Sequence, residues 1–289
     1  MTENSEIKRV PYGLAVHDHE EEEAVLEVIK NHKTIMGEKV KKFEENIASL
    51  FGKQFGTMVN SGSSANLLAF EILDVPKDSE VITPILTFAT TLSPIIKKGL
   101  IPVFVDVEPN TYIVNVDEIE QAITNKTCAL MIPSLLGNVP DLVRLRKIAD
   151  DNDLMIIEDA SHAIGADYLT SNNKKIPVGS CRYSAMTTFS FHPVKTIAAG
   201  EGGAITTNNK ELAEKLFRFR NHGITRDKDL FFNKQLSVDE EGAINPWYYE
   251  IQELGYNYRL SDIHSALASS QLGKLSSFKE KRRFLVNYL

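Results

Sequence analysis

The chain has 289 residues, of which 43% are hydrophobic and 25% are charged, as in ordinary globular proteins. Its net charge of −7 argues against binding to nucleic acid or to an anionic membrane, because both need a basic surface. Cys128 and Cys181 are too few for a disulfide framework or a cysteine-rich metal site, and the N-terminus has no apolar signal-peptide core. We therefore predict a cytoplasmic protein with no metal, no membrane span and no nucleic-acid partner.

Short apolar runs alternate with helical patterns up to Asn221. Strands are predicted at Gly56–Val59, Glu80–Thr83, Pro102–Val105, Cys128–Pro133, Leu154–Glu158, Met186–Phe191 and Gly203–Thr207. Helices are predicted at His17–Asn31, Glu38–Phe51, Ala65–Leu73, Leu86–Lys98, Val116–Ile123, Asp141–Asp151 and Lys210–Asn221. This alternation predicts an α/β fold with a mostly parallel central sheet flanked by helices. In such sheets ligands bind beyond the carboxyl ends of the strands.

The alternation ends after Asn221. Arg226–Pro246 is long and polar and contains Gly242, so it is predicted to be a surface loop or an active-site flap. Helical patterns return at Ser261–Gln271 and Ser276–Leu289.

Lys195 follows the strand-like run that ends at Phe191 and precedes the glycine-rich turn Gly200–Gly203. Small and apolar neighbours would partly remove its amine from water, which lowers the pKa of a lysine and makes it a nucleophile. A lone loop lysine is more often a solvated surface charge. Three other segments, however, supply what a site for pyridoxal phosphate (PLP) needs, and together they favour a lysine that forms a Schiff base.

The segment Ser61–Asn66 lies between a predicted strand and a predicted helix. A small polar turn at a helix N-terminus offers backbone N–H groups, and here also the hydroxyls of Ser63 and Ser64, to a phosphate. Helix capping by serine would explain the same pattern. Ser190, five residues before Lys195, could add a further hydroxyl to the phosphate site.

Asp159 follows the buried-strand pattern of Leu154–Glu158. A carboxylate delivered to the end of a strand could keep a pyridinium nitrogen protonated, and that ion pair makes PLP an electron sink. The alternatives are a helix N-cap or a metal ligand, but a metal site would need more histidine or cysteine than His162 provides.

Two further positions complete the candidate site. Phe88 lies at another strand-to-helix junction, where its ring could stack on the cofactor or could simply belong to the core. Asn257 and Arg259, in the segment Gly255–Asp262, could bind an anion, whereas Ser261 and Asp262 could be helix caps.

In their order along the chain, these motifs resemble the DegT/DnrJ/StrS family of PLP-dependent sugar-nucleotide aminotransferases, which have the fold-type-I architecture. The resemblance runs from about Val10 to the last residue and is most specific at Asn60–Asn66, Glu158–Gly165, Phe189–Thr207 and Gly255–Asp262. It implies an N-terminal segment and helix over residues 1–30, a PLP-binding large domain over 31–245 and the start of a C-terminal small domain over 246–289. Family members continue beyond this point, so the small domain is expected to be incomplete.

By this resemblance, Lys195 is expected to form the Schiff base with PLP and Asp159 to pair with the pyridine nitrogen. His162 is expected to pack near the ring and its 3-hydroxyl, and Phe88 to stack on the ring. The phosphate contacts correspond to Ser63, Ser64 and Ser190. Asn257 corresponds to a residue that reaches the phosphate of the neighbouring subunit's cofactor, which implies a homodimer with shared active sites.

Within the family the resemblance is divided. Ser184–Thr207 and Trp247–Gly255 are most similar to the aminotransferase of pseudaminic acid synthesis, which acts on a UDP-linked 4-keto-6-deoxy amino sugar. Val59–Ala69 and Ile95–Tyr112 resemble instead the sugar 3-dehydratases, which have histidine at the position of Lys195. With lysine there, the resemblance favours transfer of an amino group, usually from L-glutamate, to a nucleotide-linked 4-keto-6-deoxy sugar. A PLP-dependent 3-dehydratase and a catalytically silent sugar-nucleotide-binding protein are the alternatives.

Overall fold

The computed structural model describes residues 11–170 and 173–288. The first ten residues of the predicted N-terminal segment, including Val10, lie outside the described residues, as does Leu289.

A seven-stranded sheet forms the centre of the molecule, in the order β1-β9-β8-β5-β4-β2-β3. Its strands are β1 (Phe55–Val59), β2 (Glu80–Pro84), β3 (Ile101–Val105), β4 (Thr127–Pro133), β5 (Met155–Asp159), β8 (Met186–Ser190) and β9 (Gly203–Thr207). β9 is antiparallel to both of its neighbours, and the other neighbouring pairs are parallel. The predicted α/β class and mostly parallel sheet are therefore confirmed.

Nine helices are found among the described residues. They are α1 (His19–Lys30), α2 (Glu38–Leu50), α3 (Gly62–Glu71), α4 (Ala89–Lys97), α5 (Val116–Ala122), α6 (Leu142–Asp151), α7 (Lys210–Arg220), α8 (Asp262–Gly273) and α9 (Leu275–Tyr288). Each matches a helix predicted from the sequence, with ends that differ by a few residues.

The core has two layers because successive side chains of a strand point to opposite faces of the sheet. On β2, Ile82 belongs to the same buried cluster as residues of α2 and α6, whereas its neighbour Val81 belongs to the cluster that contains residues of α3, α4 and α7. Leu130 and Met131 alternate in the same way on β4. Both layers bury apolar residues almost completely, so the ends of the strands are held in fixed positions.

Helix α8 is attached to the rest of the fold by a buried carboxylate. Asp262 accepts hydrogen bonds from the backbone N–H groups of Gly37 at 2.8 Å, Lys39 at 3.2 Å and Val40 at 3.1 Å, and so caps the start of α2. Helix α1 packs against α8 on its other side. The division at residues 30 and 245 into separate parts stays a prediction.

Four short strands lie outside the central sheet: β6 (Asp167–Leu169) pairs with β7 (Lys175–Pro177), and β10 (Ile224–Thr225) with β11 (Glu250–Ile251). β10 and β11 close the loop predicted at Arg226–Pro246. That loop contains one turn of 3-10 helix, Lys228–Leu230, and buries Phe231 and Ser237. Over residues 11–170 and 173–288, no helix combines the length and the apolar character that crossing a bilayer requires.

Candidate active site

A cleft of about 470 Å³ opens at the carboxyl ends of β4, β5 and β8. Six of the residues predicted for the site line it: Ser63, Phe88, Asp159, His162, Ser190 and Lys195. These residues are distributed over more than 130 positions of the chain, from Ser63 to Lys195. The crossover connections of the parallel sheet bring them together.

Asp159, the last residue of β5, is a buried carboxylate with three hydrogen-bond donors. Its Oδ2 accepts from the Asn66 amide and from the Thr91 hydroxyl, both at 2.9 Å, and its Oδ1 accepts from the backbone N–H of Ser161 at 3.1 Å. Only 7% of the residue is exposed. The three donors fix the orientation of the carboxylate.

Asn66 is held in turn from the far side. The Thr188 hydroxyl on β8 donates to Asn66 Oδ1 at 2.6 Å, and this fixes which end of the amide faces Asp159. The Asn66 amide also donates to Thr90 O at 3.2 Å. A buried chain of hydrogen bonds therefore connects α3, α4, β5 and β8 beneath the cleft.

Lys195 lies on a loop whose two ends belong to neighbouring strands. Phe191 N donates to Gly202 O, Ala199 N donates to Phe191 O, and Lys195 N donates to His192 O, each at 2.8 Å. Burial lowers the pKa of the Lys195 amine, and the negative charge of Asp159 partly opposes this effect. A larger share of the amine is therefore neutral near pH 7 than in a solvated lysine.

The His162 ring is fixed by a backbone contact. Its Nδ1 accepts a hydrogen bond from Leu136 N at 3.2 Å, and Leu136 has a φ of 57°, in the left-handed region. Burial lowers the pKa of His162, and the nearby positive charge of Lys195 lowers it further. Because Nδ1 is an acceptor, the neutral ring carries its proton on Nε2.

The N-terminus of α3 forms one wall of the cleft. Ser61 caps the helix, because its Oγ accepts from Ser64 N at 3.0 Å, and Ala65 N makes the first backbone bond to Ser61 O. The N–H groups of Gly62 and Ser63 precede that bond and remain available to an anion. A Cβ atom on Gly62 would lie 2.6 Å from Ser190 Cβ, so Ser190 packs directly against this turn.

Ser64, Phe88 and Asn257 differ in their positions. Ser64 is buried behind the turn, where its hydroxyl accepts from Ser61 Oγ at 3.1 Å, and it does not line the cleft. Phe88 lies at the N-terminus of α4 with 68% of the residue exposed at the cleft. Asn257 is exposed outside the cleft of its own chain. Arg259 donates to Asn221 Oδ1 at 2.6 Å.

The residues of the cleft fit pyridoxal phosphate. A buried carboxylate with spare acceptor capacity on Oδ1 suits a protonated ring nitrogen, and an N-terminal turn packed against a serine suits a phosphate. Lys195 supplies the amine that an aldehyde requires, and its lowered pKa favours the neutral, nucleophilic form.

The comparison with known proteins identifies the family. A model of the DegT/DnrJ/EryC1/StrS aminotransferase family matches residues 16–289. The chain belongs to this family.

Individual relatives in and around the family include two kinds of enzyme. The chain is 36% identical to the dTDP-4-dehydro-2,6-dideoxy-D-glucose 3-dehydratase of Saccharopolyspora spinosa, over 93% of this chain and 60% of the relative. Among solved structures it resembles Helicobacter pylori PseC, an aminotransferase involved in the biosynthesis of pseudoaminic acid (TM-score 0.82, 28% identity, 93% of this chain and 66% of that one). It also resembles the E. coli GDP-4-keto-6-deoxy-D-mannose-3-dehydratase with bound hydrated PLP (TM-score 0.84, 30% identity, 97% and 71%).

Family membership establishes the cofactor. The DegT/DnrJ/EryC1/StrS proteins and the solved relatives are PLP-dependent enzymes that modify nucleotide-linked sugars, so PLP is the cofactor of this chain. The chain spans about 60 to 66% of the length of relatives such as the S. spinosa dehydratase and PseC. Both amino transfer and dehydration occur among the relatives, and the assignment of individual site residues stays a prediction.

The main residues that sequence reasoning missed support the site from beneath. The sequence patterns place Asn66 only in the predicted turn Ser61–Asn66 and indicate no role for Thr91 or Thr188. Their partner Asp159 lies 93 residues from Asn66 and 68 from Thr91, so no local pattern joins them. The available signal was the placement of each polar residue within an otherwise apolar stretch of helix or strand.

Proposed function

We propose that this chain is a PLP-dependent aminotransferase that acts on a nucleotide-linked keto sugar. The observation that carries the proposal is Lys195, a half-buried amine of lowered pKa in the same cleft as Asp159. A lysine can bond to the aldehyde of the cofactor, can be displaced by an amino acid, and can then serve as a proton carrier.

The residues around the cofactor have separate tasks. When bound, PLP supplies a carbon that carries the amino group and a ring that takes up the electrons of a broken C–H bond. Asp159 holds the positive charge at the ring nitrogen, with Asn66 and Thr91 fixing its orientation. Phe88 and His162 line the same cleft, where Phe88 would cover the ring and His162 would offer its Nε2–H to the 3-hydroxyl.

The phosphate is assigned to the turn at the start of α3. Ser63 and Ser190 line the cleft and contribute hydroxyls, and the N–H groups of Gly62 and Ser63 contribute backbone donors. Ser64 would support this site without touching the phosphate, because its hydroxyl is hydrogen-bonded to Ser61, the N-cap of α3. A dianion at this helix end is favoured by the helix dipole as well.

Lys195 moves the proton of the reaction. With PLP in the cleft, the neutral amine of Lys195 would accept the proton from the α-carbon of the amino-acid donor and would pass it on to the cofactor. The lowered pKa of Lys195 serves the first half of this task, and the nearby carboxylate of Asp159 stabilises the ammonium in between.

The substrates that we propose are L-glutamate as amino donor and a nucleotide-linked 4-keto-6-deoxy sugar as acceptor. The likeness to PseC, named for pseudoaminic acid biosynthesis, supports a sugar acceptor of this class. We further propose a cytoplasmic homodimer in which the exposed Asn257 of each chain reaches the cofactor phosphate of the other. The product would be an amino sugar for surface polysaccharide or nonulosonic acid synthesis.

The direct test is covalent trapping at Lys195. The purified chain mixed with PLP should absorb in the visible, and borohydride reduction should leave a PLP adduct that peptide mass spectrometry finds on Lys195. Lys195→Ala should lose the adduct and the transfer of ¹⁵N from labelled glutamate to the keto sugar, whereas Lys126→Ala, at an exposed site, should keep both. Equal behaviour of wild type and Lys195→Ala would remove the basis of the proposal.

A 3-dehydratase is the second candidate, because the S. spinosa and E. coli relatives carry that name. The two reactions separate when the pyridoxamine phosphate form receives the keto sugar. Amino sugar together with regenerated PLP supports the aminotransferase, and loss of a sugar hydroxyl supports the dehydratase. Sugar-nucleotide binding without any cofactor absorption would favour a catalytically silent protein instead.

A further inference from the structure

A second cleft, of about 460 Å³, lies at the edge of the sheet opposite the active site. Its walls come from the chain before β1, the β6–β7 hairpin, the turn before β8 and Asn208 after β9. Phe55, Met186 and Thr207 are in register at this edge, whereas Val59, Ser190 and Gly203 are in register at the other. Four residue steps along a strand separate the two edges by roughly 13 Å. The two clefts share no lining residue.

The charge of this cleft is one-sided. Four cations line it, namely Lys53, Lys174, Lys175 and Arg182, and no aspartate or glutamate is among its described lining residues. None of the four takes part in an ion pair in the part of the chain that the structure describes. In a chain of net charge −7, such a group produces a local positive potential that attracts anions.

The positive charge of Lys53 is disfavoured by its surroundings in this cleft. The residue is half-buried, and its pKa is lowered by burial and by the positive charge of Arg182, while the Cys181 thiol acts in the opposite sense. Keeping like charges close together and partly out of water is unfavourable unless a counter-ion joins them. An anion between Lys53 and Arg182 would relieve both effects.

The donors and the size of the cleft indicate the kind of anion. Lysine acts as a point charge toward phosphate, and the planar guanidinium of arginine can bind two phosphate oxygens. The volume lies in the range of small-ligand sites, and the buried side chains of Phe51 and Ile176 form part of its wall. We propose that this cleft binds a small multivalent phosphate anion, either free pyrophosphate or the diphosphate of a nucleotide.

The test is calorimetric titration of the PLP-loaded chain, in which the cofactor already occupies the phosphate position of the active site. We expect saturable binding of sodium pyrophosphate that weakens as the salt concentration rises. Lys53→Met and Arg182→Met should each weaken binding by about tenfold, because each removes a charge-assisted contact. Lys126→Met removes the same charge from an exposed site elsewhere and should leave the affinity unchanged. Retained cofactor absorption in every variant controls for folding.

The outcomes separate the two phosphate sources and the rival explanations. Tighter binding of ADP than of pyrophosphate, lost in Lys53→Met, assigns the site to a nucleotide, and the reverse order assigns it to the free anion. No saturable binding to the wild type, or equal binding by Lys53→Met, Arg182→Met and the wild type, overturns the proposal. Binding of polyglutamate without binding of either phosphate would also overturn it and would indicate an acidic protein partner.

Discussion

The Asn66 amide donates a 2.9 Å hydrogen bond to the carboxylate of Asp159, across 93 residues of sequence. Both residues are buried, and Thr188 fixes the other end of the amide. The orientation of the Asp159 carboxylate therefore depends on a residue of α3. The relationship makes Asn66 a sensitive position for cofactor binding, although it is absent from the lining of the cleft.

Asn66→Ala is expected to lower the affinity for PLP by about tenfold. The substitution removes a donor to the carboxylate and leaves the Thr188 hydroxyl with only its longer contact to Glu158 O, at 3.4 Å, each a loss of about 1–3 kcal/mol. The dissociation constant is measured by titrating the apo chain with PLP and following its absorbance. Asn152→Ala is the control. It removes a hydrogen bond from an asparagine amide to Ile148 O, far from the cleft, and should not change this constant. An unchanged PLP affinity in Asn66→Ala would show that Asp159 does not depend on this bond.

Gly62→Ala tests the close packing of the α3 turn against Ser190. The new Cβ would lie 2.6 Å from Ser190 Cβ and 3.1 Å from its Oγ, so Ser190 must move away from the phosphate position. We expect PLP to bind at least tenfold more weakly and the fold to lose about 1–3 kcal/mol of stability. Gly273→Ala is the matched control, because a Cβ there meets nothing within 4 Å and the fold should be stabilised by about 0.5–1 kcal/mol. Similar effects of the two changes would contradict the close contact.

Glu158 makes stability depend on pH. It is 2% exposed, and burial raises its pKa to about 7, while the Thr187 hydroxyl, at 3.1 Å, and the hydroxyls of Ser134 and Ser184 oppose this. The negative charge of Asp159 raises it further. Burial raises the pKa of Tyr168 and of Cys181, and the charge of Glu158 adds to this effect. Between pH 4.5 and 7 the folded chain keeps a proton that the unfolded chain releases, so stability falls as the pH rises.

The corresponding measurement is urea unfolding of the apo chain across this pH range. The wild type should lose on the order of 3 kcal/mol between pH 4.5 and 7 relative to Glu158→Gln, which cannot ionise. Glu240→Gln, at an exposed position, should follow the wild type. Parallel curves for wild type and Glu158→Gln would mean that Glu158 is already ionised below this window.

Glu250 organises the loop between β10 and β11. Its carboxylate accepts from the backbone N–H groups of Phe232 and Asn233, both at 2.8 Å, and from Tyr248 and Gln252. These hydrogen bonds outweigh the effect of burial and lower the pKa of Glu250 to about 2. The contacts of the charged form are therefore present at neutral pH and are lost as the pH falls from 4.5 toward 2.

Glu250→Gln should speed proteolytic cleavage between residues 231 and 249 several-fold, because an amide can accept fewer of these hydrogen bonds. Limited proteolysis at pH 7 followed by mass spectrometry locates the cuts. Glu241→Gln, an exposed position in the same loop, should be cut at the rate of the wild type. Equal rates for all three proteins would show that the loop is ordered without Glu250.

The central sheet could be predicted because its strands are apolar runs of five to seven residues, bounded by turns and alternating with amphipathic helices. Glu158 and Asp159 indicate where one strand ends. The residues next to Lys195 and Ser61 indicate a partly buried amine and a helix N-terminus. The β10–β11 pair could not be predicted, because two-residue strands separated by 24 residues carry no periodicity. The bonds from Asn66 and Thr91 to Asp159 were equally hidden, because they depend on how helices pack across the sheet. The same holds for the second cleft, where Lys53 joins Lys174, Lys175 and Arg182 from a distant segment of the chain.

The reversed direction of β9 has a consequence for how this enzyme could be altered. β8 ends at Ser190 and the antiparallel β9 begins at Gly203, so the twelve residues between them form a loop that is anchored in the sheet at both ends. Hydrogen bonds from Phe191 N to Gly202 O and from Ala199 N to Phe191 O hold this loop, so the backbone position of Lys195 is set by the two strands. Lengthening this loop by even one residue would displace the Lys195 amine from the cleft, while the sheet and its helices would fold unchanged.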